Sequence, residues 1–376
     1  VIIDLIGFGI VMPVLPFYAR DFGASATALG FLFTVYAAAQ FVCAPLWGRL
    51  SDRIGRRRVM LMTIAGTALA LLGLGLARSL AWIFVARAAG GAFAANIGVA
   101  SAYVADVTAE RDRTRWMGML GASFGIGFVL GPAIGGVLAP YGHAWPMLAA
   151  AGLGFANLLH AGAALRESPA RAVAAPAPAA AAIGSPLVRR LLVTNFVFSV
   201  AVTQLETVFA FFMLDRFGYE AREVAVLLIA MALVMAAIQG GAMRWLAARF
   251  PERSLALFGS VLLVLGFLGL PQARSVAWLL APLALCAVGR AVLQPALMSL
   301  ASLAAGSLER GGVMGRFQAS ASLARVLGPL AAGWLYDRAL AAPFVFAGVL
   351  LVAVALKARG LPARGAVGLP PPLAEV

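Results

Sequence analysis

Gly48-Arg49-Leu50-Ser51-Asp52-Arg53-Ile54-Gly55-Arg56-Arg57-Arg58 stands between two long apolar runs, 27–48 and 59–77. A helix needs about 20 apolar residues to cross a bilayer, and each run supplies roughly that. A basic knot between two such runs reads as a loop held on one face of a membrane. Working outward gives ten more apolar runs bounded by charges and turn residues: 1–19, 80–104, 115–139, 144–165, 191–214, 223–247, 255–271, 275–300, 313–336 and 341–357. The composition agrees: of 376 residues 62% are hydrophobic and 12% charged, with 41 glycines besides, and the mean hydropathy is +0.95. Ordinary soluble domains are about 45–50% apolar and about 25% charged. A soluble enzyme is excluded.

The expected fold is an all-α membrane protein of twelve transmembrane helices in two six-helix bundles, 1–165 and 191–357. An Ala/Pro-rich connector, 166–190, reads as a cytoplasmic linker, and the Pro/Gly-rich end, 358–376, as a disordered tail. Twenty of the 29 Lys and Arg residues fall in connectors on one side, six on the other, and Arg87, Arg290 and Arg325 inside spans. The positive-inside rule then makes both termini cytoplasmic in a multi-pass protein of the cytoplasmic (inner) membrane. The net charge of +14 is spread between the spans, which fits anionic lipid and no nucleic acid. Cys43 and Cys286 lie in apolar runs, without disulfide or metal spacing. No cleavable signal is visible, and the opening at Val1 within an apolar run reads as a trimmed start.

The halves repeat. Gly118, Ser123, Gly131-Pro132 and Gly136 recur 197 residues later as Gly315, Ser320, Gly328-Pro329 and Gly333. Arg87 is matched with Arg290, 203 residues on. A parallel repeat of this kind is the arrangement of carriers that rock two bundles about a midplane site.

Within the basic loop, Gly55 permits a tight turn, Gly48 would admit a neighbouring helix, and Asp52 can pair with Arg56. Gly127, Gly131, Pro132, Gly135 and Gly136 place small residues at close-packing intervals, and Pro132 removes a backbone donor. Charges inside spans are expensive and usually functional. Asp4, Glu206, Arg87 and Arg290 are therefore the proton-coupling candidates: desolvation favours a neutral carboxyl, a nearby arginine an ionised one. Gln40, Asn96, Gln204, Gln239, Gln294, Phe33 and Phe209 are candidates for a substrate-cavity wall with few polar groups.

The loop 48–58 resembles the cytoplasmic signature of the major facilitator superfamily. Gly127-x-x-x-Gly131-Pro132-x-x-Gly135-Gly136 resembles the fifth-helix motif of its proton-coupled exporters, and Arg87-x-x-x-Gly91 the fourth-helix motif. Residues 4–16, Tyr36 to Arg57 and Gly121 to Gly125 are most similar to tetracycline efflux proteins. The resemblance implies a cytoplasmic gating cluster of Gly48, Asp52, Arg53, Gly55, Arg56 and Asp106. It also implies a fifth helix that controls leakage and, by family default, a monomer. One feature departs: tetracycline exporters carry an acidic residue in the ninth helix, and 255–267 has none, which shifts coupling to Asp4 and Glu206.

The expected function is proton-coupled antiport, exporting small lipophilic compounds, with a small-molecule substrate, protons and the lipid bilayer as partners. No nucleophile, metal site, cofactor motif or nucleotide loop is present in the sequence, so ATP is not the expected energy source and the chain is not read as an enzyme. Two alternatives remain: a carrier of a native metabolite on the same fold, and a non-transporting membrane receptor or scaffold.

Overall fold

A computed structural model describes residues 1–108, 110–165, 167, 185–305 and 310–361. The greater part of the linker 166–190 and the tail from 362 lie outside the described residues. Every regular element described is helical. The spans in order are α1 (Ile2–Asp21), α2 (Ala26–Ile54), α3 (Arg56–Gly75), α4 (Leu80–Phe93) continued by α5 (Asn96–Val107), α6 (Glu110–Leu138) and α7 (Ala144–Ala164). They continue with α8 (Pro186–Phe217), α9 (Ala221–Ala237) continued by α10 (Met243–Arg249), α11 (Glu252–Gly269), α12 (Val276–Leu303), α13 (Arg310–Tyr336) and α14 (Ala342–Arg359).

Among the described residues, 11 helical segments are long and apolar enough to cross a membrane. Helix α13 falls short on hydropathy, because Arg310, Arg316 and Arg325 and a run of Gly, Ser and Ala dilute it. Two spans are less regular than the apolar pattern suggests. The fourth breaks at Ala94–Ala95. The eighth passes through a π-helical turn at Ile238–Ala242, which holds Gln239 and the exposed pair Gly240-Gly241. An apolar run shows only that a stretch can sit in hydrocarbon, and both irregularities leave that property intact.

Serine caps set the register of two matched helices. Ser79 Oγ accepts from the Trp82 amide at the start of α4, and Ser275 Oγ accepts from the Trp278 amide at the start of α12. The caps are 196 residues apart, nearly the spacing of the Gly-Pro repeat. Counted from them, Arg87 stands eight residues in and Arg290 fifteen. The expected equivalence of the two arginines therefore fails by seven residues, which is about 10 Å along a helix.

The chain forms two compact units. The first comprises Val1–Ala175, Glu206–Ala232 and Arg325–Leu340; the second comprises Pro176–Leu205, Leu233–Ala324 and Ala341–Val376. In the first, α1 packs on α6, α3 on α7 and α2 on α4. The α1–α6 seam is a backbone contact: a Cβ on Gly131 would collide with Gly9, one on Gly127 with Leu5 and one on Gly135 with Ile10. In the second unit α11 packs on α12 and α14. There the buried Asn195 amide donates to the Phe317 carbonyl at 2.9 Å and to Ser320 Oγ at 2.8 Å. Arg190 donates to the Lys357 and Gly360 carbonyls, satisfying the end of α14.

Gly131→Leu is expected to lower the melting temperature of the purified protein by several degrees, since overpacking costs about 1–3 kcal/mol. Gly152→Leu, where an added Cβ meets no atom within 4 Å, is expected to leave it unchanged. Thermal unfolding in detergent measures both.

Candidate functional site

Asp4 lies in the first turn of α1. Its Oδ1 accepts from the Asn157 side-chain amide of α7 at 3.0 Å, its Oδ2 lies 3.6 Å from the Val1 amino group, and Asn96 lies beside the same carboxylate. Asn96 is the first residue of α5, so the break in the fourth span sets it beside Asp4. That break frees backbone carbonyls, which a bilayer does not tolerate unless protein groups satisfy them. Side chains of α2 do so: Gln40 Nε2 donates to the Ala94 carbonyl at 2.8 Å and Trp47 Nε1 to the Ala92 carbonyl at 2.6 Å. Gln40 thus holds the helix break.

One turn above Asp4, the Phe8 ring meets the Tyr36 ring with centroids 6.1 Å apart. Arg87 of α4 is 5% exposed, its guanidinium carbon 4.1 Å from the Tyr36 centroid and 5.8 Å from that of Phe33. Asp4 is held by Asn157 and the Val1 amino group, and Arg87 faces aromatic rings. Tyr36 links the two regions, because its ring meets Phe8, one turn from Asp4, and also stacks on Arg87. Sequence reasoning gave no role to Tyr36, Asn157 or Arg325. An asparagine among the apolar residues of the sixth span was the available signal.

The remaining candidates disperse. Glu206 is half-buried in α8 and has an interaction partner. Arg290 is also half-buried and partnered, in the second unit. Gln204 is buried and donates to the Val200 carbonyl of its own helix. Phe209 is buried in side-chain packing. Gln239 and Gln294 are exposed and Phe33 is half-buried.

At the arginine-rich end Arg56 joins two carboxylates. Its Nη1 reaches Asp52 Oδ1 at 2.5 Å and its Nε reaches Asp106 Oδ2 at 3.1 Å. Gly55 turns the chain between α2 and α3 with φ of 102°, a region that other residues rarely enter. Arg53 is exposed. Gly48 differs from expectation: among the described residues, a Cβ there would meet no atom within 4 Å.

The opposite end of the first unit carries a polar tie that no sequence pattern announced. Asp337, just past α13, accepts from the Ala26 amide at 3.0 Å and the Thr27 amide at 2.8 Å, capping α2. Arg20 pairs with Asp215 at 2.9 Å, and the Tyr336 hydroxyl donates to the same carboxylate at 2.9 Å. Beneath the cap the helices touch through backbone: a Cβ on Gly30 would collide with Pro329 and one on Gly333 with Ala26. Thr34 Oγ1 donates to the Val326 carbonyl at 2.7 Å. On the matching face of α6, a Cβ on Gly136 would collide with Ala225 of α9.

These features define a multi-pass helical membrane protein with charges held inside its spans. The sequence model of the Major Facilitator Superfamily matches residues 1–307 and 241–372, and the chain belongs to that superfamily. It is a transporter by family and not an enzyme. It is 32% identical over 351 residues to the class C tetracycline resistance protein of Escherichia coli, covering 89% of this chain and 87% of that one. It is 27% identical over 366 residues to multidrug resistance protein 2 of Bacillus subtilis strain 168, covering 94% and 90%. Among solved structures it is similar to the human organic anion transporter MFSD10 (TETRAN), with a TM-score of 0.68, 28% identity and coverage of 95% and 96%.

Burial pushes the Asp337 carboxyl up, but hydrogen bonds from the Thr27 hydroxyl, the Thr27 and Ala26 amides and Ser25 outweigh it and hold it below the usual aspartate value. A carboxyl held low stabilises the fold above its unfolded pKa of about 4 and loses that contribution as pH falls through the lowered value. The cap is thus indifferent to pH across the neutral range. Asp337→Ala is expected to speed deuterium uptake at Ala26 and Thr27 at least several-fold at neutral pH, with Arg338→Ala as the unchanged control.

Proposed function

We propose that this chain is a proton-coupled antiporter that exports small lipophilic compounds across the cytoplasmic membrane by alternating access. The observation that carries the reading is Asp4: a carboxylate in a spanning helix, held by Asn157 and set beside Asn96 at a helix break that α2 side chains stabilise. Nothing in lipid packing requires such an arrangement, and intramembrane carboxylates usually mark ion pathways. The names of the tetracycline and multidrug resistance relatives support drugs as the substrate class.

In this reading 1–165 and 191–357 are the two moving bundles, joined by a cytoplasmic linker, with both termini in the cytoplasm and one chain as the working unit. The Arg56 cluster then lies at the cytoplasmic end and the Asp337 cap at the outer end. Alternating access requires the two ends to open in turn. The cap and the Gly30–Pro329 contact would close the outer end in the state seen here and break when substrate leaves. Glu206, Arg87 and Arg290 are the further coupling candidates, Arg290 standing seven residues further from its capping serine than Arg87 does from its own.

The test is proton flux in liposomes with an internal pH-sensitive dye, under an imposed gradient, with a panel of lipophilic cations and tetracyclines. Substrate-driven flux is expected, and Asp4→Asn or Glu206→Gln is expected to abolish it. Flux untouched by both substitutions would remove the coupling assignment and keep the exporter. Folded protein with no flux for any drug would favour the metabolite carrier first and the scaffold second.

A further inference from the structure

Helices α11 and α14 meet closely at Gly348, where an added Cβ would collide with Leu268. One turn from that contact they leave a groove of about 500 Å³. Its walls keep helical spacing: Leu257, Val261 and Leu265 on α11, and Val352, Ala355 and Leu356 on α14. Val261, Leu265, Val352 and Leu356 are exposed, and the small Ala355 between larger neighbours gives the groove its depth. Leu265 follows Leu257 by eight residues, which is about 12 Å of helix. The hydrocarbon core is about 30 Å thick, so the groove belongs to one leaflet. It is too short to seat a spanning helix from a second copy, and a single acyl chain can lie along it.

Away from Gly348 the groove ends in positive charge. Arg359, exposed in the last turn of α14, lines it, and among the described residues no carboxylate pairs with it. Arg253 stands one turn before Leu257 on the same stripe of α11. The acid beside it, Glu252, accepts from Ser299 Oγ of α12 at 3.5 Å. The helix ends favour an anion as well. Helix α11 starts where α14 finishes, and it starts with no side-chain cap, so the positive end of its dipole is uncovered. The carbonyls that end α14 would repel an anion, but Arg190 donates to those of Lys357 and Gly360 at 2.9 Å each.

We propose that this groove is a binding site for one anionic phospholipid, with an acyl chain along 257–265 and 352–356 and the phosphodiester held by Arg359 and Arg253. An apolar trough with a cationic end repeats the order of a lipid, chain first and headgroup last. Arginine takes phosphate oxygens through two parallel N–H bonds, and the surplus of positive charge selects an anionic headgroup over a zwitterionic one. The inference needs the membrane-spanning fold and is independent of the antiport reading.

The test is photolabelling of the purified protein in phosphatidylcholine nanodiscs doped with a phosphatidylglycerol that carries a diazirine in one acyl chain. Labelled residues are mapped by peptide mass spectrometry. Label on 257–265 and 352–356 is expected to exceed that on the exposed Leu69 of α3 and Leu159 of α7 by about fivefold or more, the factor that one basic residue near a membrane surface gives. Unlabelled phosphatidylglycerol is expected to displace it, and the same diazirine chain on phosphatidylcholine to label all these faces evenly. Arg359→Gln combined with Arg253→Gln is expected to bring the groove down to the even level, and Arg244→Gln to change nothing. Ala355→Phe, which fills the trough, is expected to remove the label with both arginines in place. Even labelling of the wild type by the phosphatidylglycerol probe would overturn the proposal, and that arm needs no variant to fold. A groove label equally strong with the phosphatidylcholine probe, or one that survives the double substitution, would overturn it too. Loss of the groove label in discs that hold two copies would show that a second copy covers this face, with the same consequence. Proton flux in liposomes is read separately, so failure of either reading leaves the other standing.

Discussion

Hydrocarbon around a helix is as apolar as the helix, so spans associate through close packing and internal hydrogen bonds, with little gain from burying apolar surface. The first unit depends on this. Helix α1 carries Asp4, and its position is set by Gly9 lying against Gly131 with no side chain between. Once that distance is fixed, Asn157 of α7 can reach the carboxylate, and Phe8 can meet Tyr36. A bulkier seam would move the carboxylate away from its donors.

The second requirement of the bilayer is that no polar group be left alone. At Ala94–Ala95 it is met by conversion: a helix is broken, its carbonyls are given to Gln40 and Trp47, and the new helix start delivers Asn96 to Asp4. The cost of the break is offset by side chains of a neighbour, and the product is a polar site inside the membrane. At Arg87 the requirement is met only by aromatic faces.

Much of this was legible in the sequence. A span is set by the apolar residues of its own run, whatever packs beside it, so the limits of the helices lie within a few residues of the apolar runs. The Arg56 cluster was also legible, because Asp52 is one turn away and Asp106 follows from the family pattern. The helix break was not: it has no proline, and what makes it possible, Gln40 and Trp47, lies at least 45 residues earlier. The Asp337 cap joins residues 311 apart, and nothing local to Asp337 marks it out. Matching Arg87 to Arg290 by residue type hid a slip of two turns that the serine caps expose.

The repeat is kept in packing and lost in polar chemistry. Gly136 and Gly333 are matched residues 197 apart, and each abuts a helix from the other half of the sequence, Gly136 against α9 and Gly333 against α2. Helices α2 and α9 are the second spans of their halves, so the two contacts are equivalent. The position matched to Asp337 is Pro140, which has no carboxylate and no amide hydrogen to offer. Close packing is shared by both halves because each must present a smooth, side-chain-free face to its opposite number. The cap, found on one side alone, adds a directional bond to a contact that packing has already made. Removing it should therefore loosen the contact without dismantling it.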